Sequence, residues 1–159
     1  MQKEIIFIGL GKMGNAMAAR LVESDFVVHG FDVDQSAREA AAKNGVCTYV
    51  SIAQMIQAMP NTKTVWLMLP AQFVDSALSD IYPHLQAADI IIDGGNSFYK
   101  DTVRRANDAH KKDIHYVDCG TSGGVKGARA GAWLVGQQRW SDHSSLFLKH
   151  LPCQMVLVT

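Results

Sequence analysis

The stretch "EIIFIGLGKMGNAMAARL" (residues 4–21) decides the fold. Its first part, up to Leu10, is an apolar run without polar alternation, the pattern of a strand buried on both faces. Residues 13–23 then set Met13, Met17, Ala18 and Leu21 on one helical face. Between the two, Gly9, Gly11 and Gly14 spell Gly-x-Gly-x-x-Gly. That string occurs often by chance, but here it follows a strand and opens a helix, which is the context its mechanism needs. The first glycine allows a tight turn, the second lets a pyrophosphate reach the backbone, and the third lets helix and strand pack closely. The helix N-terminus adds unpaired N–H groups and the positive end of its dipole.

The same alternation runs outward along the chain. "FVVHGFD" (26–32) reads as a second strand, followed by a helix over 35–43 with Asp34 or Ser36 as its cap. A short strand over 46–50 and a helix over 51–58 come next. "TVWLMLP" (64–70) is a fourth strand stopped by Pro70, a helix spans about 73–85, and "DIIID" (89–93) is a fifth strand. A polar helix over about 100–112 leads to the strand "IHYVDC" (114–119). Strands that are apolar throughout are covered by crossover helices on both faces, so the expected fold is α/β, a Rossmann-like, doubly wound and mostly parallel sheet. After Gly131 the pattern weakens to "AWLVG", "LFLKHL" and an apolar end, "QMVLVT".

Composition narrows the class of partner. Fifteen basic residues balance fifteen acidic ones among 159, so no net field favours nucleic acid or a membrane surface. Cys47, Cys119 and Cys153 form no CxxC pair and no metal-ligand spacing with the histidines, which reads as reduced thiols and a cytoplasmic protein. No apolar run approaches the length of a membrane span.

Asp32 ends the second strand, 18 residues beyond Gly14. A carboxylate there accepts hydrogen bonds from the ribose hydroxyls of NAD and repels the additional phosphate of NADP. Val33 is next in the chain, so no arginine stands beside Asp32 to take that phosphate, and NAD is the expected cofactor over NADP. A short-chain dehydrogenase is excluded, because none of the four tyrosines has a lysine four residues on.

Two further glycine clusters sit at later strand ends. "DGGNS" (93–97) turns sharply at Gly94 and Gly95 and presents Asn96 and Ser97 where open α/β sheets bind ligands; a plain strand end before a helix cap is the alternative. The second is "TSGGVKGARAG" (121–131), and with the preceding Gly120 its start, "GTSGG" (120–124), matches Gly-x-Ser-x-Gly, the form of a hydrolase nucleophile elbow. The segment after Ser122 reads as too glycine-rich for a firm helix, and Asp142, His143 and His150 have little sheet left to place them. A nest of Ser122 with the N–H groups of Gly123 and Gly124, holding carboxylate or phosphate oxygens, suits the residues better.

Together, "IGLGKMGNAMAARL", "VWLMLP", "IIIDGGNSFYKDTVRRA" and "HYVDCGTSGGVKGARAG" resemble the 6-phosphogluconate dehydrogenases, in particular the shorter bacterial NAD-linked forms, within the β-hydroxyacid dehydrogenase superfamily. The resemblance runs from residue 5 to about 136. It implies that Gly9, Leu10, Gly11, Lys12, Met13 and Gly14 surround the cofactor pyrophosphate, with Asp32 on the adenosine ribose. Met68, Leu69 and Pro70 then lie along the cofactor, Asn96 touches both nicotinamide side and sugar acid, and Ser122, Gly123 and Gly124 hold the substrate. The reaction implied is oxidation of 6-phosphogluconate at C3, loss of CO₂ and protonation of the enediol to ribulose 5-phosphate, with no metal.

The family's general base and acid, a lysine and a glutamate, come from a helical domain downstream, which is absent from a chain ending at Thr159. Residues 1–159 are therefore expected to be the dinucleotide-binding domain alone, with catalytic residues beyond Thr159. Lys126 is the one lysine near the substrate cluster, at a position the family does not use as base, and Gln137 stands where the family has a second glycine. A homodimer is compatible with the family. The rival readings are a stand-alone dinucleotide-binding module without catalysis and another β-hydroxyacid dehydrogenase.

Overall fold

The computed structural model describes residues 3–59, 62–122, 124–130, 133–136 and 155–157. The chain opens on β1 (Lys3–Ile8), α1 (Lys12–Val22), β2 (Phe26–Phe31), α2 (Gln35–Ala42), β3 (Cys47–Thr48) and α3 (Ile52–Gln57). It continues through β4 (Thr64–Leu67), α4 (Ala71–Ile81), β5 (Ile90–Asp93), α5 (Tyr99–His110), β6 (His115–Ser122), α6 (Gly124–Ala130), β7 (Trp133–Gly136) and β8 (Met155–Leu157). The strands lie in the order β3-β2-β1-β4-β5-β6-β7-β8. The first six are parallel, β7 runs antiparallel to β6, and β8 is parallel to β7.

The order of the first six strands is that of a Rossmann-like doubly wound sheet, whose winding reverses between β1 and β4. Strand β1 shows why its sequence does not alternate. Ile5 and Phe7 enter one apolar layer with Met17, Ala18 and Leu21 of α1, whereas Ile6 and Ile8 enter the opposite layer with Met55, Val74, Leu78 and Ile81. Each residue of the strand from Ile5 onward is buried, because helices cover both faces. Phe7 also stacks on Trp66 of β4, ring centroids 5.5 Å apart, which fixes β1 and β4 side by side at the reversal point.

Caps explain where the helices begin. Asp34 accepts from the Ser36 N–H at 2.8 Å at the head of α2, and the Ser51 hydroxyl accepts from the Gln54 N–H at 3.2 Å at the head of α3. Pro70 is the residue before α4, so this helix starts about two residues earlier than the sequence suggests. β4 ends at Leu67, not at Pro70, because its neighbour β1 ends at Ile8, whose carbonyl accepts the last ladder bond from the Met68 N–H (2.8 Å).

One expectation is overturned. The glycine-rich sequence after Ser122 does form a helix, α6, which packs on α1 with Ala128 buried in the layer beside Met17 and Ala18. Packing of its apolar side supplies what its local propensity lacks. Residues 146–151, Cys153, Gln137, Asp142, His143 and His150 lie outside the described residues.

Candidate functional site

The reversal between β1 and β4 opens a cleft of about 440 Å³. Its floor is Ile8, Gly9 and Gly11; one wall is Phe31, Asp32, Val33 and Ile52, and the other is Met68–Pro70 with Phe73 and Ala77 of α4. The lining is apolar apart from the Asp32 and Asp80 carboxylates and the Ser76 hydroxyl. Such a slot suits a flat, largely apolar ring with a few polar attachments. Val33 and Phe73, both large and exposed, stand on opposite sides of it.

The three glycines have different reasons to be glycine. Gly9 has φ +94, and a Cβ there collides with the Met68 carbonyl; a Cβ on Gly14 collides with the carbonyl of Gly9 itself. Turn, helix and β4 are thus in direct backbone contact, and these two positions serve the fold. Gly11 differs: its φ is ordinary (−61) and a Cβ meets nothing within 4 Å. Nothing among the described residues requires glycine there, so the open space it faces fits a ligand approaching the backbone. Gly11 also precedes α1, and no side chain caps that helix, which leaves first-turn N–H groups for an anion.

Asp32 is held in place by the same turn. Its Oδ2 accepts from the Leu10 N–H at 2.7 Å and its Oδ1 from the Asp34 N–H at 2.9 Å. The carboxylate is thereby oriented at the cleft with lone pairs remaining for hydrogen-bond donors. Of the residues singled out in the sequence, Gly9, Gly11, Asp32, Met68, Leu69 and Pro70 line this one cleft. Leu10 does not: its side chain is buried in the core, and only its N–H takes part. Gly14 lies behind the turn, while Lys12 and Met13 belong to the first turn of α1 outside the cleft lining.

A second crevice lies at the ends of β5 and β6. Asn96, at φ +54, donates through Nδ2 to the Thr121 carbonyl (3.3 Å) and accepts the Thr121 N–H on Oδ1 (3.2 Å). Thr121 Oγ1 returns a bond to the Gly94 carbonyl at 3.0 Å. The "DGGNS" and "TSGG" segments, 25 residues apart at this contact, are thus joined into one surface. Ser122 is described as backbone of β6, Gly124 is exposed at φ +59 at the start of α6, and Gly123 lies outside the described residues.

Beneath that surface sits a fully buried carboxylate, Asp93. It accepts from the Tyr116 hydroxyl (2.7 Å), the Ser97 hydroxyl (2.7 Å), the Gly95 N–H (3.0 Å) and Arg105 Nη1 (3.4 Å). Burial, and then the Asp93 charge, push the Tyr116 phenol up, so it remains a donor. Arg105 also reaches Ser97 Oγ (2.8 Å), Asp75 Oδ1 (2.8 Å) and the Ala71 carbonyl (3.3 Å). One guanidinium therefore ties the loop after β5 to the start of α4, the helix that walls the cleft. Asp118, in register with Asp93 on β6, has its carboxyl raised by burial and then by Asp93.

Sequence reasoning missed Val33, Ile52 and Phe73 as cleft walls, and Arg105 and Asp75 as the brace. The one available signal for the brace was a charged residue closing the apolar run "DIIID", since a buried carboxylate requires a cationic or hydrogen-bonding partner. It also missed Arg38, whose Nη1 donates to the carbonyls of Asp32 (2.7 Å) and Val33 (3.2 Å).

A profile described as the NAD binding domain of 6-phosphogluconate dehydrogenase matches residues 4–151. This chain belongs to that family. A relative from Haloferax volcanii named 6-phosphogluconate dehydrogenase, NAD(+)-dependent, decarboxylating, is 40% identical over 136 residues, which are 84% of this chain and 44% of the relative. Among solved structures, 3-hydroxyisobutyrate dehydrogenase of Mycobacterium tuberculosis with L-serine superposes with a TM-score of 0.85 at 29% identity, covering 99% of this chain and 54% of that one. Plasmodium falciparum 6-phosphogluconate dehydrogenase, described with its cofactor NADP+ and with its substrate 6-phosphogluconate, gives 0.83 at 29% identity, covering 95% and 34%. The chain spans half or less of the length of the curated relatives it matches. The family binds NAD or NADP and consists of oxidoreductases. Among the described residues no helix is long and apolar enough to cross a membrane.

The glycines make opposite predictions. Gly14→Ala loses several kcal/mol of stability in denaturant unfolding, because the methyl group must displace backbone, as overpacking does. Gly11→Ala unfolds within about 0.5 kcal/mol of the parent but binds the dinucleotide at least ~10-fold more weakly by calorimetry, a loss of about 1.4 kcal/mol.

Acid titration reads the brace. Hydrogen bonds from Arg105 and then Arg104 hold the Asp75 carboxyl down at about 2. Its folded value lies below the ordinary value of roughly 3.9, so its contribution is complete above that pH and disappears as pH falls through 2. Asp75→Asn is expected to lose less stability than the parent between pH 4 and pH 2, measured by urea unfolding.

Proposed function

We propose that this chain is the nucleotide-binding part of a 6-phosphogluconate dehydrogenase and that it prefers NAD. The observation that carries the reading is the pairing of an open Gly11 with an oriented Asp32 carboxylate across one cleft. The pyrophosphate rests on the turn between β1 and α1, the adenine enters between Val33, Ile52 and Phe73, and the ribose hydroxyls bond to Asp32. Met68, Leu69 and Pro70 line the way toward the nicotinamide, which accepts hydride when the dinucleotide is bound.

The sugar acid lies in the second crevice, against Asn96, Ser122, Gly123 and Gly124. The Asn96–Thr121 pair supports this by presenting both segments as one polar surface next to the cleft. The whole reaction, oxidation at C3 followed by decarboxylation to ribulose 5-phosphate, is assigned to a protein of the relatives' full length. This chain contributes binding and orientation. Loss of a positioned general base typically costs 10²–10⁴ in rate.

The likeness to the 3-hydroxyisobutyrate dehydrogenase supports a second reading, a small hydroxy acid without phosphate. A substrate panel on a full-length counterpart separates the two.

The 159-residue chain is expected to bind NAD in a calorimetric titration and to form little NADH from 6-phosphogluconate. An absence of NAD binding contradicts the first half; a rate near that of a full-length relative contradicts the second.

A further inference from the structure

Arg38 stands behind the corner of the cleft where β2 ends, bonded to two of its lining residues but not itself part of the lining. It occupies the fourth position of α2, and its side chain folds back over the helix start to the exit of β2. There Nη1 donates to the carbonyls of Asp32 and Val33, the two residues that line the cleft at this corner. Both bonds come from Nη1, which leaves the donors of Nη2 and Nε for a further acceptor. No nearby carboxylate is bonded to it, although its charge, after the bonds from Ser36, helps hold the Asp34 carboxyl below its ordinary value. Asp34 is turned to the N–H and hydroxyl of Ser36, and Asp32 to the N–H groups of Leu10 and Asp34. Among the described residues Arg38 forms no ion pair within 4.0 Å.

A guanidinium bonded only to two backbone carbonyls is charged, oriented and partly unused. That is the donor set that receives phosphate oxygens, in a fork geometry a lysine does not offer. Chain position disguises it, because Arg38 lies six residues beyond Asp32 and reaches the corner only through the fold of α2.

We propose that Arg38 is a specificity-determining residue of the ribose subsite, which receives the 2′-phosphate of NADP. The proposal rests on the reading of the cleft as a dinucleotide site with Asp32 at the ribose. Preference for NAD is then a balance between repulsion by Asp32 and attraction by Arg38. The chain binds NADP measurably, and discrimination is shallower than a lone carboxylate would give.

The test is calorimetric titration of the 159-residue chain with NAD and with NADP, at low and at raised salt, for the parent, Arg38→Gln, Arg38→Lys, Asp32→Asn and the double variant Asp32→Asn/Arg38→Gln. Arg38→Gln is expected to weaken NADP about 10-fold or more, as loss of a charged hydrogen bond does, and NAD less than about threefold. Arg38→Lys retains part of the NADP affinity. Asp32→Asn shifts the ratio toward NADP by about 10-fold, and the double variant loses that gain. The Arg38 contribution shrinks at raised salt.

A role confined to bracing the corner weakens both dinucleotides together and leaves their ratio unmoved; that result overturns the proposal. Normal NAD binding with no NADP binding by the parent overturns it as well, while the reading of the cleft stands. Failure of the parent to bind either dinucleotide overturns both.

Discussion

The buried carboxylate of Asp93 is the point to which the ligand-facing edge of the sheet is referred. A charge with no exposure to water is tolerated only when its lone pairs are filled and its charge is countered. Here four donors from three elements do so: Gly95 and Ser97 in the loop, Tyr116 on β6, and Arg105 on α5. Each of these groups is thereby fixed in relation to the others. The loop cannot open without uncovering the charge, and α5 cannot shift without losing Arg105 from both Asp93 and Asp75. Asn96 rides on this fixed loop, which is how a residue at a positive φ can hold a two-bond clasp on Thr121.

The other half of the site depends on close approach in place of charge. Gly14 against the Gly9 carbonyl, and Gly9 against the Met68 carbonyl, bring helix, turn and neighbouring strand to backbone contact. That contact sets the Leu10 N–H where Asp32 needs it. The two halves communicate through α4: its residues Phe73 and Ala77 wall the cleft, and its Ala71 carbonyl and Asp75 carboxylate are held by Arg105. Rigidity of the loop after β5 and the shape of the cleft are therefore maintained by one helix.

The glycine-rich segments differ in how far the sequence alone could explain them. At residues 9–14 the strand before and the helix after are both strong, so the turn between them has one reading. At 121–131 the helix is not visible, because glycine and a short length argue against it. α6 forms because α1 offers it an apolar surface and buries Ala128, a contribution that no local window contains. Strand ends were similarly uncertain: residues 68–70 continue the apolar run of β4, yet the strand stops at Leu67 because β1 beside it ends at Ile8 and offers no further ladder partner.

By itself the sequence determined the layer architecture, the position of the glycine turn, the carboxylate at the end of β2 and the family to which the motifs belong. These are properties of local order and spacing, since uninterrupted apolar strands and a glycine turn have few alternative structures. Only the tertiary structure decided that Gly11 is the glycine the protein itself does not need and that Leu10 serves through its backbone. It also decided that Asn96 is clasped to Thr121, that Arg105 braces a buried charge, and that Arg38 returns to the end of β2. Those facts depend on which groups meet across 6 to 34 residues of intervening chain, and such meetings are set by packing of whole elements, not by the residues on either side.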